Sequence, residues 1–249
     1  MRLQWKPIEK AGFVRKSILS GMNEQERILE LLRERSGTKQ AVWRNAQRAF
    51  GELRSVAAEE AEDLKEALGI EAQEVSVNFT EKGDLEFRLQ FSGDVLIFLL
   101  QTNAYALEDQ HELMKTDYLK SQPLNGYFGL IHIYNFLSDS IKYGRLNDYG
   151  QLIGRLYINK EDRFFTEGQR QLGFLFRDLA DQTIDKEAMR KIIRTCILHA
   201  IDLDLTPPPL KSIEDINVHQ LEHISQELRV RKTSGLGFKT SAVKGRNRL

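Results

Sequence analysis

Two different periods of hydrophobic residues divide this chain into helical and strand segments. In the first third, apolar side chains recur at helical spacing. Asn23 and Glu26 have the spacing of a capping box, which predicts a helix start. Gly37 predicts the end of that helix, Thr38 the cap of a second, and Gly69 the end of the second. The apolar stripe of the second helix consists of Val42, Ala46, Ala49, Leu53, Val56, Leu64 and Ala67.

From residue 75 the period changes to two, which is typical of half-buried strands. Two short alternating runs and a third, continuously apolar run from Val95 to Leu100, separated by tight turns, predict an antiparallel meander. The two-sided apolarity of the third run places that strand centrally in the sheet. The apolar run from Tyr127 to Leu137 is compatible with a fourth strand or with a buried helix. Gln151 to Asn159 and Arg163 to Glu167 predict a hairpin.

The chain then returns to helix. Asp185 predicts the cap of an amphipathic helix over 186–202, with Ile192, Ile193 and Ile197 facing the sheet. The order of elements predicts an α+β fold, an antiparallel sheet of about five or six strands flanked by N-terminal and C-terminal helices. We expect a basic N-terminal extension over 1–22, a single globular domain over 23–228 and a flexible basic tail over 229–249.

Charge is distributed unevenly along the chain. The whole chain has 36 basic and 36 acidic side chains, yet the last 21 residues contain seven basic side chains and no acidic one. An acidic body with a basic tail predicts an anionic partner, either nucleic acid or an acidic protein surface. The predicted polyanion-binding residues are Arg229, Arg231, Lys232, Lys239, Lys244, Arg246 and Arg248. The acidic run from Glu59 to Asp63 is typical of a solvated helix face.

Apolar runs are too short for a membrane span, which needs about 18 apolar residues. The only cysteine is Cys196, so no internal disulfide forms, and we expect a soluble cytoplasmic protein. Cys196 lies on the apolar stripe of its helix, where a small core side chain is the expected role.

A candidate binding region lies in the middle of the chain. All seven tyrosines fall between Tyr105 and Tyr157, among asparagines and aspartates. Tyrosine combines a rigid apolar face with one polar tip, which suits recognition of a protein or small ligand, although strands favour aromatic residues for packing alone. The predicted ligand- or partner-binding residues are Tyr118, Asn135, Asp139, Tyr143, Arg145, Asp148 and Tyr149.

Signals for catalysis are weaker. Asp84, Glu86, Arg88 and Asp94 are compatible with a metal-dependent nuclease, but the same letters arise on a solvent-facing strand. The segment from His219 to His223 resembles the H-x-x-E-H motif of inverzincin metalloproteases, but the downstream acidic ligand of that family is missing. We therefore predict no cofactor and no metal site.

Binding is the function that these observations favour over catalysis. We expect the tyrosine-rich middle to dock a protein or small ligand while the basic tail contacts an anionic partner. The first alternative is a factor associated with nucleic acid or the ribosome through the tail. The second is an enzyme whose site is assembled from residues distant in sequence, with a metal-dependent nuclease as the least improbable type.

Overall fold

A computed structural model describes residues 23–73 and 75–203, together with Val218. The predicted N-terminal extension, the H-x-x-E-H segment and the basic tail lie outside the described residues.

The N-terminal helices form a nearly continuous rod. Helix α1 spans Glu24–Leu31, a π-helical segment spans Leu32–Ser36, and α2 spans Gly37–Leu68. The capping box is confirmed, because the Asn23 side chain accepts from the backbone N–H of Glu26 and the Glu26 carboxylate accepts from that of Asn23. Gly69 follows the last residue of α2 at a φ of 54°, as predicted.

The predicted break at Gly37 is wrong. Gly37 has right-handed helical geometry, and no side chain caps the start of α2. Nothing lies within 4 Å of the position that a Gly37 Cβ would occupy. An isolated glycine costs a helix only about 1 kcal/mol, which the packing of the following turns outweighs.

Antiparallel strands form the centre of the molecule and confirm the α+β prediction. The strands are β1 (Val77–Glu81), β2 (Glu86–Phe91), β3 (Asp94–Leu100), β4 (Tyr105–Ala106), β5 (Tyr127–Leu137), β6 (Gln151–Ile158) and β7 (Phe164–Gly168). The sheet order is β1-β2-β3-β5-β6-β7, and the short β4 pairs with β5. The apolar run from Tyr127 to Leu137, which the sequence alone could not assign to strand or helix, is therefore the 11-residue strand β5.

One face of the sheet carries the main core. Here Phe87 pairs with Phe98, and Phe98 pairs with Ile133 on the next strand. Helix α2 and helix α5 (Lys186–Ile201) cover this face. Ile192, Ile193 and Ile197 are buried in the core, and Cys196 is buried beside them. We call this surface of the sheet the helix face.

The opposite face, which we call the open face, is covered by described residues at its two ends. At the start of β5, Phe128 and Leu130 form a second apolar cluster with Tyr157 and Phe165. Helix α3 (Asp117–Ser121) and short 3-10 turns at Glu112–Lys115 and Pro123–Gly126 lie over this cluster. At the end of β5, the one-turn helix α4 (Ser138–Lys142) begins. A further 3-10 turn, at Arg170–Gly173, follows β7.

Glu60 corrects the prediction that the whole acidic run is solvated. Its side chain is 3% exposed and accepts hydrogen bonds from two arginines of α5. Arg190 Nε lies 2.7 Å from Glu60 Oε1, and Arg194 Nε lies 2.8 Å from Glu60 Oε2. Burial of a carboxylate requires such partners, and this pair of bonds fixes α2 against α5.

No helix in the described part of the chain has both the length and the apolar composition that crossing a bilayer requires.

Candidate functional site

Helix α4 and the loop between it and β6 contain five of the predicted binding residues, Asp139, Tyr143, Arg145, Asp148 and Tyr149. Backbone bonds from Tyr143 N to Asp139 O and from Arg145 N to Ser140 O reverse the chain after one helical turn. Gly144 has a φ of 59°, a left-handed conformation in which glycine is favoured, and nothing lies within 4 Å of the position of an added Cβ. We call residues 143–150 the α4–β6 loop.

Arg145 holds this loop in place. Its guanidinium lies 3.5 Å from Asp139 Oδ2 and 3.3 Å from Asp148 Oδ2. The Ser140 hydroxyl also donates to Asp148 Oδ2 over 2.6 Å. Since a guanidinium is planar and always charged, it bridges two carboxylates that start and end the turn. We call Asp139, Ser140, Arg145 and Asp148 the Arg145 cluster.

The exit of the loop is pressed against the sheet. A Cβ on Gly150 would lie 2.2 Å from two ring carbons of Phe136, which projects from β5 on the open face. The loop therefore has a fixed start in the Arg145 cluster and a fixed end at Phe136.

Two large side chains at the tip of this loop are almost fully exposed. Leu146 is 95% exposed and Tyr149 is 98% exposed. Tyr143 is instead half-buried, with Lys142 Nζ 5.4 Å and the Arg145 guanidinium 6.0 Å from its ring centroid. Leu146 was not predicted as a site residue, although an isolated leucine between Arg145 and Asn147 was a readable signal. We call Leu146 and Tyr149 the apolar tip.

Asn135 lies on the helix face, on the other side of the sheet from α4. It pairs with Leu96 in the strand register, and its side chain donates to Asp94 Oδ1 over 3.1 Å. Asn135 is buried. Its amide nitrogen is therefore satisfied by Asp94, while its Oδ1 is buried without a hydrogen-bond partner among the described residues.

Tyr118 lies at the opposite end of β5 from the Arg145 cluster. Its hydroxyl donates to Glu161 Oε2 over 2.7 Å and accepts from Asn159 Nδ2 over 2.9 Å. Burial, together with the bond to Glu161, raises the pKa of Tyr118 to about 12. Asn159 in turn accepts from the backbone N–H groups of Glu161 and Arg163. Tyr118 therefore braces the β6–β7 turn.

The residues considered for nuclease chemistry are not gathered in one place. Arg88 Nε lies 2.6 Å from Glu86 Oε1 on the open face of the sheet. Asp94 pairs with the core residue Phe91 and so lies on the helix face, while Asp84 is in the exposed turn before β2. No group of three or more His, Cys, Asp or Glu side chains among the described residues has the geometry of a metal site.

The predicted polyanion-binding residues lie outside the described residues. A comparison of the chain with protein-family models, curated proteins and solved structures finds no match.

Proposed function

We propose that this is a binding protein that contacts a partner protein through the apolar tip of its α4–β6 loop. The observation that carries the proposal is the near-complete exposure of Leu146 and Tyr149 on a loop whose two ends are fixed. Aromatic anchors are enriched among the side chains that dominate binding energy, and binding residues are concentrated on loops held by a rigid scaffold.

Fixing of the loop before binding supports this function. An interface formed by a mobile loop loses free energy because the loop must be ordered on association. The Arg145 cluster and the Gly150 contact with Phe136 already restrict the backbone on both sides of the tip. Tyr149 then offers a large ring and a polar hydroxyl at low cost in conformational entropy.

The tail supplies a second contact in this proposal. Seven basic side chains in residues 229–249 oppose a body that has 29 basic and 36 acidic ones, a net charge of −7. Such a segment attracts nucleic acid or an acidic protein surface. If the tail alone is the main contact, the protein is a nucleic-acid-associated factor, and nucleic acid travels with it through purification and is released by high salt.

Affinity capture from the native cell tests the role of the tip. The bait is the full chain, compared with the double variant Leu146→Ala/Tyr149→Ala and with the control Phe174→Ala/Leu198→Ala. The control removes apolar side chains that are 63% and 60% exposed outside the loop. We expect one protein to be recovered with the wild-type chain and the control, and at least tenfold less with the loop variant. Equal recovery with all three baits contradicts the proposal.

A further inference from the structure

A polar groove lies beside α4, on the open face of the sheet and separate from the apolar tip. It has a volume of about 260 Å³ and lies between α4 and the first three strands. The nine residues that line it are Asn78, Thr80, Lys82, Arg88, Gln90, Val95, Ser138, Ile141 and Lys142. The groove was not predicted, because these residues come from separate segments of the chain.

The register of the strands explains why these side chains share one surface. Asn78 pairs with Gln90 and Thr80 pairs with Arg88, so all four point to the open face. Gln90 Nε2 donates to the Ser138 hydroxyl over 2.8 Å, which ties α4 to β2. Val95 and Ile141 supply the apolar part of the lining.

Charge gives the groove its chemistry. Three of the nine lining residues are cationic, and none is acidic. Arg88 is anchored through its Nε by Glu86, which lies outside the lining. The two terminal amino groups of Arg88 have no hydrogen-bond partner among the described residues, and Lys82 has no ion pair there. Lys142 lies on α4, across the groove from β1 and β2.

We propose that this groove binds the phosphate group of a small phosphorylated molecule. A phosphate dianion has several acceptor oxygens directed apart, which suits cations that approach from the β1–β2 turn, from β2 and from α4. The hydroxyls of Thr80 and Ser138 and the amides of Asn78 and Gln90 supply further hydrogen-bonding groups. The volume is slightly below that of a typical ligand pocket, about 300–1,000 Å³, and so favours a compact ligand.

A titration of the full chain with inorganic phosphate tests this assignment. Binding is followed by phosphorus NMR and by the backbone amide shifts of Thr80, Arg88 and Lys142, at constant ionic strength. We expect saturable binding of one phosphate and weaker binding of acetate at the same concentrations. Arg88→Ala should weaken phosphate binding about tenfold or more, because it removes charge-assisted bonds.

Two further variants separate the groove from general charge effects. Lys82→Ala, at an exposed position, should weaken binding without affecting the fold. Lys120→Ala removes the same charge from a side chain on α3 that is also exposed, and should leave binding unchanged. Arg246→Ala tests whether the tail is the source of the binding. The assignment is overturned if phosphate does not saturate, if acetate binds as tightly, or if Lys120→Ala or Arg246→Ala weakens binding as much as Lys82→Ala. The capture result for the apolar tip does not depend on this outcome.

Discussion

Gly129 marks the closest approach between the sheet and helix α2. A Cβ added to Gly129 would lie 2.3 Å from Ala46 Cβ, and 3.7 Å from Ala46 Cα and from the carbonyl oxygen of Val42. Carbon atoms without a bond between them prefer separations of about 3.5–4.0 Å. Gly129→Ala therefore forces α2 and β5 apart by more than one ångström. Overpacking of a close-packed core costs about 1–3 kcal/mol.

A compensating substitution makes this prediction specific. Ala46→Gly removes the clashing methyl group and leaves contacts at 3.7 Å, which are ordinary. Alone, it costs about 1 kcal/mol through helix propensity, plus the loss of a buried methyl group. In the double variant Gly129→Ala/Ala46→Gly, the overpacking cost should disappear. We expect a favourable coupling free energy of about 1–3 kcal/mol.

Urea unfolding followed by circular dichroism measures these free energies. Gly51→Ala is the matched control, because a Cβ there meets nothing within 4 Å and the residue lies on the same helix. It should stabilise the protein by about 0.5–1 kcal/mol. A Gly129→Ala variant as stable as the wild-type chain would contradict a close contact between α2 and β5. A double variant whose loss of stability equals the sum of the two single losses would contradict it as well.

Three further predictions concern the core, the histidines and the tail. Ile193→Ala should lower the free energy of unfolding by about 2–5 kcal/mol, because the side chain is fully buried. Leu198→Ala, on the exposed side of α5, should change it by less than about 0.5 kcal/mol. Equal losses in urea unfolding would contradict the placement of α5. Burial lowers the pKa of His132 and of His199 below the ordinary value of 6.5. At pH values near and below 6.5 the unfolded chain therefore binds more protons than the folded protein. The free energy of unfolding should fall as the pH drops from about 7 to 5. Calorimetry of a His132→Gln/His199→Gln variant should show a flatter profile, and an unchanged profile refutes the assignment. Deletion of residues 229–249 should remove polyanion binding and leave the melting temperature unchanged. For the full chain on duplex DNA, the slope of log K against log salt concentration should not be steeper than about −6, the value for seven phosphate contacts. A lower, salt-dependent melting temperature indicates instead that the tail clamps its own acidic body.

The elements that could be read from the sequence are those fixed by local signals. Asp185 caps α5 by accepting a hydrogen bond from Ala188 N, three residues away. Burial alternates along β2, whereas β3 is buried over four consecutive residues, as its continuous apolar run indicates. The missing break at Gly37 shows the limit of such signals, because propensity at one residue is overridden by tertiary packing. The burial of Glu60 could not be foreseen, since Arg190 and Arg194 are about 130 residues away.

The same distinction applies to the candidate sites. Asp139, Arg145 and Asp148 were predictable together because they lie within ten consecutive residues, in α4 and the loop that follows it. Tyr118 was grouped with them on composition, but its partners Asn159 and Glu161 lie at the opposite end of β5. The phosphate groove was missed because Lys82, Arg88 and Lys142 meet only when the strands pair and α4 folds over them.

Site-specific photo-crosslinking in the native cell shows directly whether the apolar tip contacts a partner protein. A photo-reactive phenylalanine analogue is placed at position 149 in one chain and at position 174, also an exposed aromatic position, in another. We expect a discrete crosslinked product with one protein from position 149 and none from position 174. Absence of a product at position 149, or the same products from both positions, contradicts that contact.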